Sequence, residues 1–90
     1  MPSDRTLYAA HIKDGKVVNI VTTTASALER GLWSAKPTNA PDVFTVTEAF
    51  WLQQFDTIVT IEPSVYGSDA FTLEVGDHYS LAEGFTRTRS

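Results

Sequence analysis

Leu7-Tyr-Ala-Ala-His-Ile-Lys-Asp-Gly-Lys-Val-Val-Asn-Ile-Val-Thr22 is the stretch that decides how this chain folds. Two runs rich in apolar and β-forming side chains, Leu7–Ile12 and Val17–Thr22, flank Asp14-Gly15, and a two-residue turn of that composition takes positive φ at both positions. The stretch is therefore a β-hairpin. Its turn sets a register in which Lys13 faces Lys16, Ile12 faces Val17, Ala10 faces Asn19 and Tyr8 faces Val21. One face then carries Tyr8, Ile12, Val17 and Val21, and the other carries Leu7, Ala9, Val18 and Ile20. His11 alternates onto the Leu7 and Val18 side, where a histidine belongs to a packed surface rather than to a catalytic site. Because both faces are largely apolar, the rest of the domain or a neighbouring subunit has to cover the second one.

Outward from the hairpin, Thr22-Thr23-Thr24 offers helix N-caps, and Ser26-Ala-Leu-Glu29 has capping-box spacing. Gly31 suits a C-terminal stop, so this helix has two turns at most. Leu32–Asp42, with Trp33 and two prolines, lacks periodicity and reads as an ordered connector. Val43–Val46 is a short strand with Phe44 and Val46 on one face. Thr47 is placed to cap a helix over Glu48–Phe55, in which Trp51, Leu52 and Phe55 make one apolar stripe. Thr57–Glu62 is the next strand, ended by Pro63. Tyr66-Gly-Ser-Asp69 is turn chemistry, Ala70–Val75 alternates as a strand up to Gly76-Asp77, and Tyr79–Thr88 is a last short strand or an extended tail. The fold class is α+β: a small single domain over residues 1–90, mostly antiparallel β, with an N-terminal hairpin and one or two short helices.

A chain of 90 residues and 9.9 kDa buries roughly two thirds of its unfolded surface, enough for one thin core. Hydrophobic residues at 42% and charged residues at 20% suit a globular domain rather than a disordered one. No stretch approaches the roughly 20 apolar residues of a membrane span. The Met1–Arg5 start lacks a signal-peptide hydrophobic region, which places the chain in the cytoplasm where it is made. Cysteine is absent, so disulfides, thiolate metal sites and a cysteine nucleophile are excluded.

The net charge of −4 is unevenly laid out. From Pro37 to Thr86 there is no Lys or Arg but there are eight acids: Asp42, Glu48, Asp56, Glu62, Asp69, Glu74, Asp77 and Glu83. Phosphate neutralisation needs clustered bases, so nucleic acid is not an expected partner. The acids keep a small protein soluble, and they can also meet a basic surface or a second copy. Arg5, Arg87 and Arg89, three of the seven bases, sit on polar terminal segments. In an assembly a neighbour can order such ends, with arginine forks on the carboxylates of its acidic span.

The chemistry-bearing residues are few. His11 and His78 are the two histidines, and no His-Glu-x-x-His, phosphate-binding glycine loop or dinucleotide fingerprint is present. Asp77-His78 with Glu74 or Asp69 has no specific metal spacing. The chain is accordingly not read as an enzyme, and no catalytic residue, metal or cofactor is assigned. Ten aromatic residues in 90 are the more telling feature. Some fill the core, Trp51 among them, and those left at the surface are anchors for protein contacts. Trp33, beside the Pro-rich connector, is the aromatic candidate for an interface, together with Arg87 and Arg89.

Tyr8-Ala-Ala-His-Ile-Lys-Asp-Gly-Lys-Val-Val-Asn-Ile-Val21 resembles the opening hairpin of short bacteriophage tail-associated proteins. Val75-Gly-Asp-His-Tyr79 followed by Glu83-Gly-Phe-Thr-Arg87 is similar to their ending, although here Ser80-Leu-Ala-Glu-Gly84 stands where Asp-Gly is usual. The two segments cover 27 of the 90 residues. The resemblance implies a virion structural protein of tail or head (capsid), built from homo-oligomeric and other virion protein contacts, located in the virion and in the host cytoplasm during assembly. It carries no catalytic residues. The second function class is a small acidic regulatory or inhibitor protein that binds a basic partner through the base-free span.

Overall fold

The computed structural model describes residues 5–63 and 73–86. In chain order the elements are β1 (Thr6–Lys13), β2 (Lys16–Thr24), α1 (Ala25–Glu29), β3 (Ala35–Pro37), β4 (Val43–Val46), α2 (Ala49–Leu52), β5 (Thr57–Ile61), β6 (His78–Ser80) and β7 (Gly84–Thr86). The strands form one antiparallel sheet in the order β3-β4-β5-β1-β2-β6-β7. The expected antiparallel architecture, N-terminal hairpin and short helices are all present. The sheet nevertheless dominates more than an α+β class implies, because the helices have only five and four residues. None of the helices among the described residues is long and apolar enough to cross a membrane.

The hairpin turn is as its composition predicts, with Asp14 at φ 54° and Gly15 at φ 81°. Lys13 faces Lys16 and Ile12 faces Val17. Beyond them the register departs from the expectation. A β-bulge makes Val18 an extra residue, so His11 faces Asn19, Ala10 faces Ile20, Ala9 faces Val21 and Tyr8 faces Thr22. A shift of one residue exchanges the faces of everything that follows. Ile20 therefore joins Ala10, Ile12 and Val17 in one cluster, and Val21 crosses to the side of Ala9.

The reason for the bulge lies in what each face meets. Ala10, Ile12 and Val17 pack with Val43, Val59, Ile61 and Leu73, and with part of Tyr79 and Phe85. Strands from both ends of the sheet thus close on one cluster, so the sheet is strongly curved. On the other face Ala9 packs with Leu28, Ala35, Val46, Phe55 and Ile58, beneath α1. Both faces of β1 are covered from within the chain, whereas Ile20 and Val21 of β2 are half-buried. Val18, the extra residue, is left 42% exposed.

Local chemistry accounts for the shorter elements. Thr24, not Ser26, is the N-cap of α1: its side chain accepts the Ala27 amide at 3.2 Å. Gly31, at φ 80°, follows the last turn as the stop. α2 covers half of the expected 48–55 helix, and Thr47 does not cap it; its hydroxyl donates instead to the Ser34 carbonyl. β3 was hidden in the connector. It is a three-residue edge strand ending in Pro37, where proline removes a donor that would otherwise invite pairing. The expected extended close at 79–88 is the hairpin β6–β7. The expected turn at Tyr66–Asp69 and the start of the expected strand Ala70–Val75 lie outside the described residues; Leu73 is a buried core residue and not part of a strand.

Two measurements test this account. Gly15→Val should lower stability by about 1–2 kcal/mol, because a β-branched residue is strained at positive φ. An unchanged melting curve would contradict the turn geometry. Deleting Val18 removes the extra residue and should cost under about 1 kcal/mol, whereas deleting Ile20 puts Asn19 against the core and should cost roughly 2 kcal/mol more. Equal losses for the two deletions would place the bulge elsewhere.

Candidate protein interface

The cluster beneath α1 runs out to the surface as a group of aromatic rings. The His11 ring stacks on Phe55 with centroids 3.9 Å apart, and Trp33 meets His11 edge-on at 5.0 Å. Trp51 lies 5.8 Å from Phe55 and 6.4 Å from Trp33, and Phe50 lies edge-on to Trp51 at 5.0 Å. The edge-on arrangements are those that the ring quadrupoles favour.

Backbone turns bring these distant residues together. After Gly31 the chain bends at Ser34, which sits in the left-handed region at φ 50°. The Ser34 carbonyl accepts the Thr47 amide at 2.9 Å and the Thr47 hydroxyl, while its own hydroxyl donates to the Glu48 carboxylate. This clasp ties the residues before β3 to the start of α2, and so holds Trp33 beside Trp51. The last turn of α2 is tight: the amides of Gln54 and Phe55 both bond the Trp51 carbonyl, at 2.8 and 2.9 Å. Phe55 is carried inward and Leu52 outward, and the Leu52 carbonyl accepts Lys13 Nζ at 2.8 Å.

The outer side of this group is left in water. Phe50 is 57% exposed, and the residues next to the half-buried Trp33 and Trp51 in sequence, Leu32 and Leu52, are 55% and 36% exposed. The result is an apolar ledge backed by a rigid packed cluster. Aromatic and aliphatic groups held in this way are the usual anchors of protein contacts, because little conformational freedom remains to be lost on binding.

His11 is buried as expected of a packed position, and its Nε2 has no hydrogen-bond partner among the described residues. Burial among the rings lowers its pKa from 6.5 to about 4. The ring is therefore neutral at physiological pH and serves as a flat apolar filler. On the opposite face, burial first and the Asp42 charge second push the Tyr79 phenol up.

Of the residues expected at an interface, Trp33 stands at the root of the ledge, whereas Arg87 and Arg89 lie outside the described residues. Arg5 does not wait for a neighbour: it pairs with Glu62 of its own chain at 2.8 Å, an exposed pair of small energetic worth. Four of the eight acids of the base-free span, Glu62 among them, make internal contacts. Glu48 takes the Ser34 hydroxyl, Asp56 accepts the Asp14 amide and the Thr57 hydroxyl, and the buried Asp77 accepts the Glu74 amide at 3.0 Å. Among the described residues no three His, Asp or Glu side chains are grouped to hold a metal ion. Phe50 and Leu32 were not singled out by sequence, and Leu52, expected on one apolar stripe with Trp51 and Phe55, is instead exposed, because α2 ends at Leu52 and the tight turn after it carries only Phe55 inward. One signal for Phe50 was there, since it falls off the Trp51 and Phe55 stripe of the expected helix.

The burial of His11 sets a pH dependence. Its folded pKa lies below its unfolded one, so the unfolded chain binds the proton more readily. Stability is therefore full above pH 6.5 and falls as the pH drops toward 4. Relative to His11→Phe, the protein should lose about 3 kcal/mol between pH 7 and pH 4. Denaturant titrations of both proteins at the two pH values measure this; parallel pH profiles would show that the ring is not desolvated. No protein-family model, curated protein or solved structure matches the chain.

Proposed function

We propose that this protein is a structural component of a bacteriophage virion, in tail or head, that acts through repeated contacts with copies of itself and with other virion proteins. The observation that carries the proposal is the aromatic ledge. Phe50 projects from the packed ring cluster, and the sequence neighbours of Trp51 and Trp33, Leu52 and Leu32, are exposed too, in a chain whose strand β1 is already covered on both faces from within. Exposed apolar anchors on a small domain are stabilised by a partner surface. The resemblance of the hairpin and of the chain's ending to tail-associated phage proteins supports the same reading, as does the engagement of Glu48, Asp56, Glu62 and Asp77 in internal contacts. Of these, Asp77 is buried and so is not presented to a basic partner. The proposed locations are the assembled particle and the host cytoplasm during assembly.

The test is assembly. The wild-type chain should form rings or lattice-like oligomers by sedimentation, and imaging should place it on particles. Phe50→Ser combined with Leu52→Ser should weaken assembly by roughly 5- to 30-fold, equivalent to 1–2 kcal/mol, while the melting temperature stays within about 3 °C. A compact monomer or dimer that co-purifies with a basic nucleic-acid-binding complex would overturn the proposal in favour of the acidic inhibitor.

A further inference from the structure

On the concave side of the curved sheet, at the hairpin-turn end, a cleft of about 220 Å3 lies between β4 and β5 on one side and β6 on the other. The strand register sets its chemistry. Thr45 faces Thr57 and Thr57 faces Ile12, one row beyond Val43, Val59 and Ala10, which belong to the buried cluster of that side. Side chains two apart on a strand share a face, so both threonines continue the core face, with the shape of valine and a hydroxyl in place of a methyl. Asp56 joins them on that wall, the buried Ile12 and Val43 form an apolar floor, and Tyr79, packed against the same cluster, is the opposite wall.

The unspent hydrogen-bonding groups of this cleft are of both kinds. Among the described residues the Thr45 hydroxyl and the Tyr79 phenol make no hydrogen bond. Burial first and the Asp42 charge second hold the phenol in its protonated form, so it is a donor. Asp56 Oδ1 accepts the Thr57 hydroxyl at 3.0 Å, but Oδ2 has only the Asp14 amide at 3.4 Å and keeps room for a stronger donor. Among the described residues no Lys or Arg lines the cleft, so beside the Asp56 carboxylate an anion is disfavoured. An ammonium group carries donors only and would leave the Thr45 and Tyr79 hydrogens without acceptors, whereas an alcohol donates and accepts. We infer that the cleft binds a neutral polyhydroxylated ligand, a single sugar ring, with hydroxyls on Thr45, Asp56 and Tyr79 and a C–H face over Ile12 and Val43. The size agrees: 220 Å3 is the liquid volume of about seven waters and lies below the roughly 300 Å3 at which drug-sized sites begin. The cleft is on the opposite side of the sheet from the aromatic ledge, so the inference is independent of the assembly role. It lies at the Ser80 end of β6, whereas the chain leaves β7 at Thr86 beside His78.

Amide NMR titration of the full chain with glucose, galactose, N-acetylglucosamine and their methyl glycosides tests this. At least one should shift the Thr45, Thr57 and Tyr79 signals with a dissociation constant of about 1–10 mM, as expected of a small ligand in a cleft open to solvent. Thr45→Val combined with Asp56→Asn should weaken binding at least about fivefold, with the melting temperature within about 3 °C of wild type, and Tyr79→Phe alone at least about twofold. Thr22→Val, at an exposed position on β2, should leave it unchanged. Binding of a methyl glycoside as well as the free sugar assigns the end residue of a glycan; binding of the free sugar alone assigns the free sugar. The inference is overturned if no sugar shifts these signals at about 100 mM, tenfold above the weakest expected constant. It is equally overturned if n-butylammonium shifts them while the sugars do not, if Tyr79→Phe binds as wild type does, or if sugars enter only after residues 87–90 are removed, which would make the cleft the seat of the chain's own tail.

Discussion

The rest of the molecule depends on β1 being paired on both edges and buried on both faces. Its backbone is bonded to β2 on one side and β5 on the other, and Leu7, Ala9, Ala10, His11 and Ile12 are all buried. Two adjacent alanines in its middle leave room for two layers of side chains to approach a single strand. One layer is the curved closure of the sheet on Ile12 and Val17, and the other is α1 with the aromatic cluster. A strand in this position cannot slip, because one step would carry both sets of side chains to the wrong layer.

The bulge at Val18 follows from that constraint. A straight β2 would send Ile20 and Val21 to the layers opposite those that accommodate them, and one extra residue corrects both at the cost of a single exposed valine. Its counterpart at the edges is restraint. β3 and β7, the outermost strands, have three residues each among the described residues. The apolar ledge lies near Lys13, at the turn end of β1.

The cluster that supports the ledge tolerates a desolvated histidine. Within reach of Phe55 and Trp33, the flat His11 ring completes a stack that a branched side chain would interrupt, at the expense of a nitrogen with no hydrogen-bond partner among the described residues. Rigidity of this kind gives the exposed Phe50 and Leu52 a fixed base.

The amino-acid sequence by itself determined the hairpin, its turn, the strands at Val43–Val46 and Thr57–Ile61, the stop of α1 at Gly31 and the packed character of His11. These follow from local causes: positive φ at Asp14-Gly15, alternation of apolar residues, and the absence of a Cβ after a helix. Tertiary structure alone decided the register beyond Ile12, the choice of Thr24 as the cap of α1, the shortening of α2 and the strand at Ala35–Pro37. It also decided that Trp33 and Trp51 meet while Leu52 turns to water. Each of these depends on what a segment packs against across tens of residues, as when Ser34 captures Thr47 and Glu48, and no neighbour in sequence carries that information.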